Sequence, residues 1–173
     1  DPANGILENT ASAFAAAIAK GYAIECDLQI TADGEAVVFH DDSLERLTEG
    51  RRLVKHHTAA EIKQLTLRNS ADHVQTLAEL LDQVKGRTPL IIELKSHWDG
   101  DERLAARALD VLKGYRGEHA LMSFDSDVVA AVRRMSPGVI RGIVAERAFD
   151  SYYDALPLAR QMELRTFSHL TRT

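Results

Sequence analysis

Two short stretches of this chain place charged side chains where they can act together. Glu25-Cys26-Asp27 lies in a run from Tyr22 to Thr31 that alternates apolar and polar residues. Side chains two residues apart on a strand point the same way. Glu25 and Asp27 therefore share a face with Gln29 and Thr31, while Ile24, Cys26, Leu28 and Ile30 take the other. Glu93-Leu94-Lys95 repeats the geometry after the apolar Leu90-Ile91-Ile92, with Leu94 opposed. In a parallel α/β fold the carboxyl ends of the strands form the mouth where ligands bind. Three carboxylates and one ammonium meeting there make a site of hard oxygen donors. Same-face acids repel, which raises a carboxyl pKa unless a cation sits between them. Such a set suits Mg²⁺ or Ca²⁺. Zinc prefers histidine or thiolate, and Cys26 faces away.

His40 closes the apolar run Ala36 to Phe39. An imidazole titrates near working pH without tuning, so it can serve as a general acid. With a cation and Lys95 neutralising a phosphate and its developing charge, and His40 protonating the leaving oxygen, the set fits cleavage of a phosphoryl ester. Each feature also has an ordinary reading: a solvated strand face for Glu25 and Asp27, an ion pair for Glu93 with Lys95, a strand-terminal role for His40. Their coincidence in one chain favours the joint one. Trp98, just beyond Lys95, either lines the mouth against a lipid-derived or alcohol group or packs its own loop. His97 is a weaker candidate for substrate contact. Ser123 has no nearby base and reads as a hydrogen-bonding strand end. His56, His57 and His73 read as solvated, and His119 and His169 belong to no constellation.

The elements that must position these groups are legible from pattern. Thr10 to Lys20 carries a helical stripe of Phe14, Ala17 and Ile18, closed at Gly21. Thr31-Ala32-Asp33-Gly34 is a tight reversal into the strand Ala36–Phe39. Thr58-Ala-Ala-Glu61 and Thr76-Leu-Ala-Glu79 are capping boxes, each opening a helix. The second helix has Leu77, Leu80, Leu81 and Val84 as its buried stripe. Then follow a strand (Pro89–Lys95), a helix (about Glu102–Lys113), a strand (near Ala120–Phe124) and a helix (near Ser126–Met135). A strand near Val139–Ala145 and a helix near Ser151–Met162 complete the series. Buried strands separated by amphipathic helices imply parallel pairing and an α/β fold. Asp33 to about Ser70 breaks that rhythm and reads as a small insertion over one end of the sheet.

With 173 residues, 45% hydrophobic and 27% charged, the chain has the composition of one globular domain rather than a disordered one. Its net charge of −5, with no long basic run, argues against nucleic acid as a partner. No apolar stretch approaches the roughly 18 residues of a membrane span. The single cysteine, Cys26, cannot form a disulfide within the chain. A cytoplasmic location is the default expectation, with a removed leader as the alternative.

The motifs, taken in order, resemble the glycerophosphodiester phosphodiesterase family, a TIM-barrel group. The matching pieces are Glu8-Asn9-Thr10, Glu25-Cys26-Asp27, Thr31-Ala32-Asp33-Gly34, Val38-Phe39-His40-Asp41, Glu93-Leu94-Lys95 and Ser123-Phe124-Asp125. The resemblance implies that Glu25, Asp27 and Glu93 bind one divalent cation, Mg²⁺ or Ca²⁺, that His40 is the acid catalyst, and that Lys95 contacts the phosphate. Glu8 would lie near the site, or merely shape the start of its helix. The implied reaction is hydrolysis of a small-molecule glycerophosphodiester to glycerol 3-phosphate and an alcohol. The family's His-Arg-Gly segment, which supplies a second catalytic His and an Arg, is expected upstream of Asp1. An eight-unit barrel needs roughly 200 residues or more. The expectation is thus an incomplete barrel domain, inactive or nearly so as it stands, from a parent enzyme. The alternatives are a catalytically silent glycerophosphate- or cation-binding module and a phospholipase acting on intact lipid.

Overall fold

A computed structural model describes residues 6–145 and 151–166. Helix α1 (Ala11–Ala19) is opened by Thr10, whose hydroxyl accepts from the Ala13 N–H, and it buries Phe14. Strand β1 (Ile24–Ile30) is shorter than the expected Tyr22–Thr31. Tyr22 donates its N–H back to Ala17 at 3.0 Å and so belongs to the end of α1. Gly34 takes the left-handed conformation, φ +81°, that this reversal needs. The chain returns as β2 (Ala36–Val38), antiparallel to β1 with Val38 opposite Leu28. The ladder stops at Val38, although the Phe39 N–H still reaches the Asp27 carbonyl at 3.0 Å.

The expected insertion is present as a 3-10 turn (Val54–His56), the short helix α2 (Ala59–Lys63) and isolated bridges pairing Ser43 with Leu53 and Thr48 with Leu67. It has its own core, in which Val37, Phe39 and Leu44 pack with Val54, Ile62, Leu67 and Val74. Strand β2 serves both cores, sending Ala36 and Val38 to the main one and Val37 to this one.

Beyond the insertion the βα alternation holds: α3 (Leu77–Val84), β3 (Leu90–Leu94), α4 (Arg103–Leu112), β4 (His119–Ser123), α5 (Ser126–Met135) and β5 (Arg141–Ile143). Both capping boxes form, at Thr58 with Glu61 and at Thr76 with Glu79. Strand β5 is narrower than expected. The expected helix Ser151–Met162 is divided into a 3-10 turn (Ser151–Ala155) and α6 (Leu158–Arg165). Pro157 lies between them. It lacks an N–H and disfavours helical geometry at the residue before it, so one continuous helix cannot form there.

The sheet runs β2-β1-β3-β4-β5, parallel except for β2. Its helix-covered face buries Cys26, Leu28, Ile92 and Leu94 against Leu77, Leu80, Leu104 and Ala108. The opposite face carries the charged residues. Parallel register there sets Asp27 directly beside Glu93.

Candidate active site

Parallel pairing of β1 with β3 brings the three expected acids together, although only Glu93 stands at a carboxyl end; Glu25 and Asp27 are the second and fourth residues of β1. Oxygens of Glu25, Asp27 and Glu93 all lie within 4.8 Å of one another, with Asp27 and Glu93 buried and Glu25 exposed. The ammonium of Lys95 is 2.8 Å from Asp27 Oδ1 and 2.8 Å from Glu93 Oε1. Partial burial and the charges of Asp27 and Glu93 push the Glu25 carboxyl up to about 7. Burial works to lower the Lys95 ammonium, but its bonds to both carboxylates outweigh this and its pKa is raised. Concentrated negative charge balanced by a single cation is the electrostatic condition that a bound divalent ion relieves. Cys26, fully buried on the other face, has its thiol pushed upward by burial and then by the charges of Glu25 and Asp27.

His40 lies where β2 runs out into the insertion. Its Nδ1 is 2.8 Å from Asp41 Oδ1, and Gln29 donates to its backbone carbonyl at 3.2 Å. A cleft of about 430 Å³ is lined by His40, Asp42, Glu93, Lys95, Ser96, Trp98, Phe124 and Tyr153. A second, of about 400 Å³, is lined by Glu8, Asn9, Phe14, Glu25, Asp27 and His40. His40 therefore borders both, with Glu93 lining the first and Glu25 and Asp27 the second. Glu8 is exposed and ion-paired with Arg46, and it groups with His40 and Asp41. Trp98 lines the larger cleft and also packs its loop, edge-on to Tyr153 and beneath the Arg160 guanidinium. Its φ of +59° is uncommon for a bulky residue. The turn is held by its N–H to Ser96 Oγ, 2.9 Å, and by Ser96 to Asp125, 2.7 Å.

The remaining histidines divide as follows. His97 is mostly buried, with Nδ1 3.8 Å from Asp42 Oδ1 and Nε2 without a partner among the described residues. His56 and His73 are exposed, whereas His57 Nε2 lies 2.7 Å from the Arg51 carbonyl. His119 bonds the Gly117 carbonyl outside the site, and His169 falls outside the described residues. Ser123 donates to the Leu94 carbonyl at 2.7 Å, the strand-end role expected of it.

Sequence reasoning assigned no role to Asn9, which holds Asp27 by both the carboxylate and the backbone N–H of that residue. Its amide donates to Asp27 Oδ2 at 2.8 Å and accepts from the Asp27 N–H at 3.1 Å. Asn9 has φ +55°, a conformation asparagine tolerates better than most residues. Its place before a helix-capping Thr, within the Glu8-Asn9-Thr10 motif, was the signal that could have found it.

Residues 2–164 match the family described as glycerophosphoryl diester phosphodiesterase. The chain belongs to this family. It is 30% identical over 149 residues to the glycerophosphodiester phosphodiesterase of Caldanaerobacter subterraneus, covering 80% of this chain and 61% of that protein. Among solved structures, an Oleispira antarctica phosphodiesterase in complex with the product sn-glycerol-3-phosphate superposes with a TM-score of 0.74 and 27% identity, covering 92% of this chain and 66% of the other. The glycerophosphodiester phosphodiesterase of Agrobacterium tumefaciens gives 0.69 and 28%, covering 78% and 59%. This chain thus spans about six-tenths of its Caldanaerobacter relative. Its five-stranded sheet is a partial TIM barrel. Among the described residues no helix is long and apolar enough to cross a membrane.

Proposed function

We propose that the protein carrying this chain hydrolyses small glycerophosphodiesters to glycerol 3-phosphate and an alcohol. The supporting observation is the meeting of Glu25, Asp27 and Glu93 around Lys95, beside His40, in a member of this family. The three carboxylates would hold one divalent cation, Mg²⁺ or Ca²⁺; when bound, it supplies positive charge for the phosphate oxygens. Their oxygen-only donor set and the raised Glu25 carboxyl fit that ion.

Lys95 lines the cleft and adds a positive charge there, where a phosphate oxygen can exchange for a carboxylate contact. Water provides the new P–O bond as the bond from phosphorus to the alcohol oxygen breaks, and the proton that water gives up passes to solvent, from which His40 is reprotonated. His40 delivers the proton to that oxygen. With Nδ1 turned to Asp41, Nε2 is the nitrogen left for transfer. Trp98 forms the apolar wall against which the alcohol rests, and Glu8 stands at the rim on the His40 side.

The test is turnover of glycerophosphocholine and glycerophosphoethanolamine by the full-length protein with Mg²⁺, with Ca²⁺ and with EDTA. Chelation and Glu93→Gln should each abolish turnover, and His40→Ala should lower it by roughly 10²- to 10⁴-fold. Turnover indifferent to both chelation and Glu93→Gln removes the cation from the reading. Wild-type rates in His40→Ala remove the acid.

A further inference from the structure

The His40 ring is half exposed, with 51% of its side chain open to solvent. Among the described residues its only hydrogen-bond partner is Asp41. A ring held by one contact on an exposed loop would sample several orientations, and proton transfer tolerates little misplacement. Asp41 must itself be fixed for that contact to matter.

Arg46 supplies the fixing. Its Nε donates to Asp41 Oδ2 at 2.5 Å and its Nη2 to Asp41 Oδ1 at 2.8 Å, the two-pronged fit of guanidinium to carboxylate. The same Nη2 bonds Glu8, on the segment leading into α1. One guanidinium therefore ties together the loop after β2 and the segment before α1, which are 38 residues apart and flank the cleft. Arg46 is itself carried on a rigid turn. Leu44 and Thr48 on either side are fully buried, and the Thr48 N–H and hydroxyl both bond the Leu44 carbonyl, at 3.0 and 2.8 Å. The bond from Arg46 also holds the Asp41 carboxyl below the usual carboxylate range, keeping it an acceptor for the imidazole N–H.

We infer that Arg46 is a positioning residue for the reaction: by clamping Asp41 and Glu8 it fixes the tautomer and ring direction of His40, so that Nε2 faces the leaving oxygen. Lysine cannot replace it, because a single ammonium cannot grip both Asp41 oxygens in one plane while reaching Glu8. This inference rests on the reading of His40 as the general acid.

The experiment compares two substrates with the same phosphoglycerol half in the full-length protein. Glycerophosphocholine has an alkoxide leaving group that needs a proton. The p-nitrophenyl ester of glycerol 3-phosphate has one that does not. Arg46→Gln and Arg46→Lys should each lower kcat on glycerophosphocholine by about 10- to 100-fold. KM should stay nearly constant, and most of the loss should vanish on the p-nitrophenyl ester. Asp41→Asn should show the same pattern, and Arg46→Gln added to it should cost little more, as for residues acting as one unit. A merely structural role would lower both substrates alike, which would overturn the inference. A rise in KM with kcat unchanged would overturn it too, by making Arg46 a direct phosphate contact. His40→Ala is the control: if its own loss ignores the leaving group, the acid reading falls. If His40→Ala discriminates and Arg46→Gln does not, only the clamp falls. Thermal unfolding of each variant checks that the fold is intact, and the half-exposed Arg46 and His40 side chains should leave it so.

Discussion

Glu25 differs from its two companions in a way that has a measurable consequence. Asp27 is buried, bonded by Lys95 and Asn9, and Glu93 is buried and bonded by Lys95. Partial burial first, and then the charges of Asp27 and Glu93, raise the Glu25 carboxyl from 4.5 to about 7. In the cation-free protein, below pH 4.5 this group is protonated whether the chain is folded or not. Between 4.5 and 7 the folded chain retains a proton that the unfolded chain has lost, so its contribution to stability falls as pH rises through that window. Glu25→Gln should therefore flatten the decline of stability over this range and leave the variant more stable than wild type at pH 8, as measured by denaturant unfolding in EDTA. An unchanged pH slope would show that neither burial nor the neighbouring acids raise this carboxyl. A cation competes with the same proton, so its affinity should weaken as pH falls below about 7.

Among the elements, those defined by local chemistry were the ones legible in advance. Capping boxes are decided within four residues, and both formed as read. The Thr76 box carries more weight, because α3 buries Leu77, Leu80, Leu81 and Val84 and lies against β2, where the Val38 N–H bonds the Gln75 carbonyl at 2.7 Å. Thr76→Ala should cost about 1 kcal/mol in chemical denaturation. Thr58→Ala should cost less, since the helix it opens has only five residues. Element ends were less legible. Tyr22 looks like a strand residue by type but is drawn into the end of α1, and the C-terminal helical pattern hides the interruption at Pro157. Propensity is continuous along a chain, whereas hydrogen bonds begin and end at particular residues.

For the whole molecule, the cation reading predicts linkage between binding and folding. An ion held by acids from β1 and β3 bridges the centre of the sheet and has no equivalent site in the unfolded chain. Mg²⁺ or Ca²⁺ at about one hundred times its dissociation constant should raise stability by about 2.7 kcal/mol. The rise should disappear in Asp27→Asn, as read by the unfolding midpoint. An equal rise in that variant would place the ion elsewhere. The amino-acid order alone determined which side chains share a strand face, where helices start, and the α/β rhythm with its insertion, because each depends on a period of two, on 3.6 or on a few adjacent residues. It also exposed the ordered motifs that resemble one family. Only the tertiary structure decided that Asp27 stands beside Glu93, that Lys95 bridges both, that Asn9 grips Asp27, and that Arg46 joins Asp41 to Glu8. Those contacts span 18 to 68 residues wherever they cross from one element to another, and are set by strand register and loop closure rather than by local preference.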